Sequence, residues 1–162
     1  MIKTNNISIS YSEYEKIEEM ESADIELVRA AREAATQAYA PYSKFMVGAA
    51  IRLESGLIIS GANVENAAFP SGICAERSAL SNSISNHKED KPVALAIAAM
   101  TEAGITADPP APCGSCRQVI SEEESRIEGK IKIILSGKNK ALVMEGISSL
   151  LPLQFNRKSL KG

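Results

Sequence analysis

A chain of 162 residues is long enough for one well-packed core and short for two. With 44% hydrophobic and 23% charged residues it has the makeup of an ordinary folded protein, and 18 basic against 20 acidic residues leave no basic surplus for nucleic-acid phosphates. The polar N-terminus lacks the apolar stretch of a signal peptide, no run approaches a membrane span, and an odd count of three cysteines suits a disulfide framework badly, so the expectation is a cytoplasmic, single-domain protein over 1–162 whose ligand is a small molecule.

Residues 1 to about 22 read as a polar extension. Ile25, Val28, Ala31, Ala35 and Ala38 then recur at helical spacing as far as Tyr39, with Ser22 or Asp24 as N-cap and Pro41 as the stop. Alternating Val47, Ala49, Ile51 and Leu53 predict a strand, which Glu54 to Gly56 turn into a second strand, LIISGA. Past the breakers Pro70 and Gly72, a helix is expected from about Cys74 to Ser85. VALAIAAM (Val93 to Met100) has the short, unbroken apolar character of a central buried strand. A loop with Pro109, Pro110 and Pro112 precedes a third helix from about Gly114, and strands follow near 130–134 and 141–145, with a short helix near ISSLL. Helices interleaved with strands, one pair of them a hairpin, imply an α/β layered fold around a mixed sheet of five strands.

The three cysteines each fall at a predicted helix N-terminus: Cys74 at one, Cys113 and Cys116 as a CxxC at the other. Helix N-termini favour the thiolate, which is the metal-binding form of cysteine, and three thiolates suit zinc. A structural site needs a fourth protein ligand, for which His87, the only histidine, is the single soft candidate. Without it the metal keeps an open position, the mark of a catalytic site, and Glu76, two residues after Cys74, is placed to act as general acid and base. Three thiolates around a divalent ion leave a net negative centre, and Arg77 is the candidate to offset it by hydrogen bonding to the sulfurs, with Arg117 as a second.

CAER at 74–77 and PCGSCRQV at 112–119, with APYSKFMVGAAI (40–51), GANVENAAFPSGICAERSAL (61–80) and SLLP (149–152) in the same order, resemble the small cytidine deaminases over most of the chain. The resemblance implies a three-layer α/β/α fold, one zinc per chain on Cys74, Cys113 and Cys116, and hydrolytic deamination of cytidine and deoxycytidine with Glu76 moving the protons. It further implies that Asn63 and Glu65 hold the ribose, that Phe45 lines the base pocket, and that Ala75 offers backbone groups to the pyrimidine. A homotetramer is implied too, in which Phe155 completes a neighbouring subunit's pocket.

Two features depart from the family pattern. Phe69 stands where relatives often have tyrosine, and the loop GITADPPAPCG is longer and richer in proline than usual, which leaves the substrate range open. The alternatives are a zinc deaminase of another aminated nucleoside or base, and a non-catalytic zinc-stabilised interaction module in which His87 is the fourth ligand.

Overall fold

The structure, a computed structural model, describes residues 1–160. Its strands are β1 (Ser12–Tyr14), β2 (Met46–Leu53), β3 (Ile58–Ala62), β4 (Pro92–Thr101), β5 (Gly104–Ile105), β6 (Lys132–Ser136) and β7 (Ala141–Glu145). Its helices are α1 (Ser22–Ala35), α2 (Ala75–Asn86) and α3 (Gly114–Ile127). The strands form one sheet in the order β1-β7-β6-β4-β2-β3, with β5 added to β4. The β4–β6 pair is parallel and the others are antiparallel, so the sheet is mixed as expected, with seven strands instead of five.

The two extra strands are too short to leave a periodic pattern. β1 lies inside the polar lead-in, where Ser12, Glu13 and Tyr14 pair with Val143, Leu142 and Ala141. Ile17 and Met20 then bury themselves against the α1 side of the sheet, so the fold begins about ten residues earlier than composition suggests. β5 folds the start of the proline-rich loop back onto the end of β4, Met100 opposite Ile105.

Strand alternation divides the core in two. Ala49, Ile51, Leu53, Leu95, Ile97, Ile133 and Leu135 face α2 and α3. Ala50, Ala94, Ala96, Ala98 and Ile134 face α1. The α1 face is built mostly of alanine, and the helix descends almost onto the backbone of β2: a Cβ on Gly48 would sit 2.0 Å from Ala31 O and 2.3 Å from Ala35 N.

Helix α1 is rich in alanine, the strongest helix former, but its ends differ from the expected ones. Glu21 is the N-cap, and Asp24 is inside the helix, buried between Arg52 Nη2 at 3.0 Å and Lys132 Nζ at 3.1 Å. Two cations from the sheet thus take a carboxylate that sequence reads as a cap. The helix stops at Ala35 because the chain is drawn away to the loop after β3: Tyr39 N donates to Asn63 O and Glu65 N to Tyr39 O. The helix expected near ISSLL is a single 3-10 turn, Ile147–Ser149.

Because no flexible side chain lies in the way to yield, Gly48→Ala is expected to cost about 3 kcal/mol, at the upper end for an overpacked core site, and a urea titration should show a lower midpoint at unchanged slope.

Candidate active site and metal centre

The three thiols converge at the N-termini of two helices. Cys74 is the N-cap of α2 and Cys113 the N-cap of α3, while Cys116 lies in the first turn of α3 with its N–H donating to Cys113 Sγ. Pro70 and Gly72 break the chain before Cys74, and Pro112 does so before Cys113. Cys74 Sγ is 3.9 Å from Cys113 Sγ, which is 3.5 Å from Cys116 Sγ, and all three lie within 4.8 Å of one another. Zinc–sulfur bonds of about 2.3 Å in a tetrahedron set sulfurs about 3.8 Å apart, a value that the spacings of 3.5 and 3.9 Å bracket, so the donor set suits zinc.

Burial pushes the Cys74 and Cys116 thiols up, and at Cys116 the neighbouring Glu76 charge adds to the rise. Burial acts in the same sense on Cys113, but hydrogen bonds from the Cys116 N–H and the neighbouring thiols outweigh it and leave Cys113 below an ordinary thiol. A coordinated divalent cation reverses the protonated state of such thiols, since its charge acts directly on the sulfur.

His87 is not a fourth ligand. It is the C-cap of α2, and the twelve residues of that helix, at about 1.5 Å rise each, place it roughly 20 Å from Cys74. Among the described residues the cluster contains the three sulfurs alone. The protein therefore supplies three donors and leaves the fourth direction to what enters from outside.

A cavity of about 680 Å³ opens beside them, lined by Cys74, Cys113, Ala75 and Glu76 at one end and by Asn63 and Glu65 among others. Glu76 is only 5% exposed, and burial raises its pKa, opposed in part by its own N–H and by Cys116. Phe45 lines the same space, and so do Tyr42 and Phe69, whose rings meet edge to face with centroids 5.8 Å apart. Asn63 is partly committed to the backbone: its Oδ1 accepts from Val47 N at 2.8 Å and its Nδ2 donates to Phe45 O at 3.1 Å. Glu65 Oε2 accepts from the Tyr42 and Ser43 N–H groups at 2.9 and 3.2 Å, and hydrogen bonding, with Ser43 foremost, holds its carboxyl below the usual range. Each of these side chains is thus oriented while part of its hydrogen-bonding capacity stays free.

Three expected residues stand apart. Arg77 follows Glu76 on α2, half-buried, and makes no hydrogen bond or ion pair among the described residues. Arg117 does make contacts, but with backbone: Nε donates to Pro112 O at 2.8 Å and Nη1 to Leu150 O at 2.7 Å, which fixes the segment entering Cys113. Phe155 lies away from this chain's own cavity, beside a second one of about 520 Å³, where its carbonyl accepts from Gln118 Nε2. The proline-rich loop that sequence singles out for its effect on substrate range does reach the cavity, through Pro110 and Ala111, whereas the holding of Glu65 by Tyr42 and Ser43 was missed. The proximity of PYS to the NVEN loop has no local signal, since it arises from the bridge between Tyr39 and Val64.

Residues 21–129 match the family model described as the cytidine and deoxycytidylate deaminase zinc-binding region. The chain belongs to this family. It is 38% identical over 138 residues to a cytidine deaminase of Sporosarcina psychrophila, covering 85% of this chain and 95% of that one. A crystal structure of cytidine deaminase from Burkholderia pseudomallei superposes with a TM-score of 0.69 at 35% identity, over 80% of this chain and 97% of the other. A blasticidin-S deaminase of Bacillus cereus is 33% identical over 136 residues, 83% of this chain and 93% of that protein. The fold and the zinc chemistry are those of this family.

Purified protein should carry about one zinc per chain by elemental analysis, and Cys113→Ser, which replaces the sulfur that touches both others, should lower zinc affinity at least about a hundredfold in a chelator competition.

Proposed function

We propose that this chain catalyses the hydrolytic deamination of cytidine and deoxycytidine to uridine and deoxyuridine with release of ammonia. The observation that carries this reading is the placement of a buried carboxyl, Glu76, and the Cys74 and Cys113 thiols on the wall of one cavity. Its volume of about 680 Å³ is of the size that encloses a small ligand.

The residues divide the substrate between them. Asn63 and Glu65 meet the sugar hydroxyls with the donor and acceptor capacity they have left, while Phe45 packs on the base. Ala75 presents backbone groups to the pyrimidine edge. When bound at the three sulfurs, zinc supplies the Lewis acidity that makes a water nucleophilic near neutral pH. Glu76, whose raised pKa suits a group that must both give and take protons, takes one proton from the attacking water and delivers it to ring N3, then takes the second from the hydroxyl formed at C4 and passes it to the departing amine, ending in the state in which it began. Arg77, next to Glu76 in the first turn of α2, is the arginine we assign to offset the charge of three thiolates by hydrogen bonding to the sulfurs once the metal is bound.

Among the described residues no lysine, arginine or histidine lines the cavity, and Glu65, near which Lys44 is the one cation acting, adds negative charge to it, which disfavours a phosphorylated substrate. The same sugar-holding pair favours a nucleoside with free hydroxyls over an antibiotic of the kind named for the Bacillus cereus relative. We further place the enzyme in cytoplasmic pyrimidine salvage as a homotetramer. In that assembly the exposed Phe155, remote from its own cavity, closes a neighbour's.

Glu76→Gln is expected to lower kcat about a thousandfold while zinc content and nucleoside affinity stay within a few-fold, because the amide keeps the shape and loses the proton transfer. Followed by ultraviolet absorbance, cytidine and deoxycytidine should be turned over far faster than cytosine or cytidine monophosphate; comparable rates on the monophosphate, or preference for blasticidin S, would overturn the nucleoside assignment.

A further inference from the structure

The loop between β4 and α3 reaches the cavity through Pro110 and Ala111, and it is braced from behind by a part of the fold that touches neither substrate nor metal. After β5, Thr106 N donates to Ala99 O and Thr106 Oγ1 to Asp108 O, which sets a strap running from Thr106 to Pro112. Against this strap lies the turn between β6 and β7. A Cβ on Gly137 would stand 2.4 Å from Ala107 O and 3.1 Å from both Cδ and N of Pro109, so turn and strap are in backbone contact. Lys140 Nζ pairs with Asp108 Oδ1 at 2.8 Å across the same junction.

The turn is itself anchored. Arg32, on the last turn of α1, donates from Nη2 to Gly137 O at 2.5 Å and Lys138 O at 2.9 Å, and to Ser136 Oγ at 3.3 Å. A charged donor on consecutive backbone carbonyls is a stronger tie than the neutral hydrogen bonds of an ordinary turn. At its other end the strap is held by Arg117 on Pro112 O and continues directly into Cys113. No residue of the turn lines the cavity, so the turn presses on the strap from outside.

We propose that Gly137 and Arg32 are positioning residues for substrate selection: they set how far Pro110 and Ala111 stand into the cavity, and so how much room the pyrimidine ring has beside Cys113. This rests on the deaminase reading above, in which the ring must lie at the thiol end of the cavity. A larger residue at 137 drives the strap inward and narrows that end. Loss of Arg32 frees the turn and lets the wall move.

The test compares the zinc-loaded native enzyme with Gly137→Ala, Arg32→Met and Arg32→Lys on cytidine and on 5-methylcytidine, whose methyl group adjoins the reacting carbon. Gly137→Ala should raise KM for cytidine about fivefold with kcat within about twofold, and should cut kcat/KM for 5-methylcytidine by a further threefold or so. Amide exchange at Thr106, whose N–H is held by Ala99 O, should quicken about tenfold in Arg32→Met and recover in part in Arg32→Lys, which keeps one charged donor. Zinc content should stay at the native level throughout. Unchanged KM, methyl discrimination and amide exchange, or a fall in kcat that tracks loss of zinc, would overturn the proposal. Should Gly137→Ala not fold, the two Arg32 variants decide it by the same readouts. If the native protein leaves cytidine untouched, the proposed activity is what fails, and exchange at Thr106 still reports whether the turn sets the strap.

Discussion

Everything at the site depends on two helices beginning within a few ångströms of each other. Cys74 and Cys113 are both N-cap residues, so a displacement of either helix along its axis moves a sulfur directly. The packing beneath them is correspondingly tight. Gly61 on β3 leaves no space for a side chain under α2, with Ala79 N at 2.4 Å from a notional Cβ, and the fully buried Ile120 ties α3 to the same core. Helix geometry, sheet contact and metal site are one mechanical unit.

That unit has a particular electrostatic character. The half-buried Cys74, the exposed Cys113 and the buried Glu76 carboxyl share one wall with the buried Cys116 beside them, and each is pushed toward its protonated form by loss of water, except Cys113, which gathers enough hydrogen bonds to go the other way. A divalent cation answers the accumulation of acidic groups around the thiols, while Glu65, on the same cavity wall, is held below the usual carboxylate range by the Ser43 side chain foremost and by the Tyr42 and Ser43 N–H groups. The cavity therefore combines proton-holding groups with a fixed negative one. Such a division suits a neutral ring that must be protonated and a hydroxyl-bearing group that must only be held.

Most of the chemistry was legible along the chain because it sits in short, contiguous signals. CAER and PCGSC each join a breaker, an N-cap and a ligand within a few residues, and the long strands β2, β4 and β6 carry clear apolar runs. What escaped was set by partners far away in sequence. Asp24 looks like a cap until Arg52 and Lys132 arrive from the sheet, and β1 and β5 are strands only because β7 and β4 offer them edges. Arg77 is the first candidate beside a thiolate and Arg117 the second; backbone carbonyls at Pro112 and Leu150 made Arg117 a brace. His87 was settled by simple length, since a helix of three turns separates it from the sulfurs.

The unequal faces of the sheet give the chain unequal freedom to vary. Beneath α1 the strands present mainly alanine, so side chains there have little volume to surrender and almost none to gain. On the opposite face, isoleucine and leucine fill the space under α2 and α3, and change there is dominated by the voids that truncation opens. Sequence drift in this protein is thus filtered by steric ceiling on one side and by loss of filling on the other. The side that carries the cysteines is the one where a vacancy in the core can propagate to the spacing of the sulfurs.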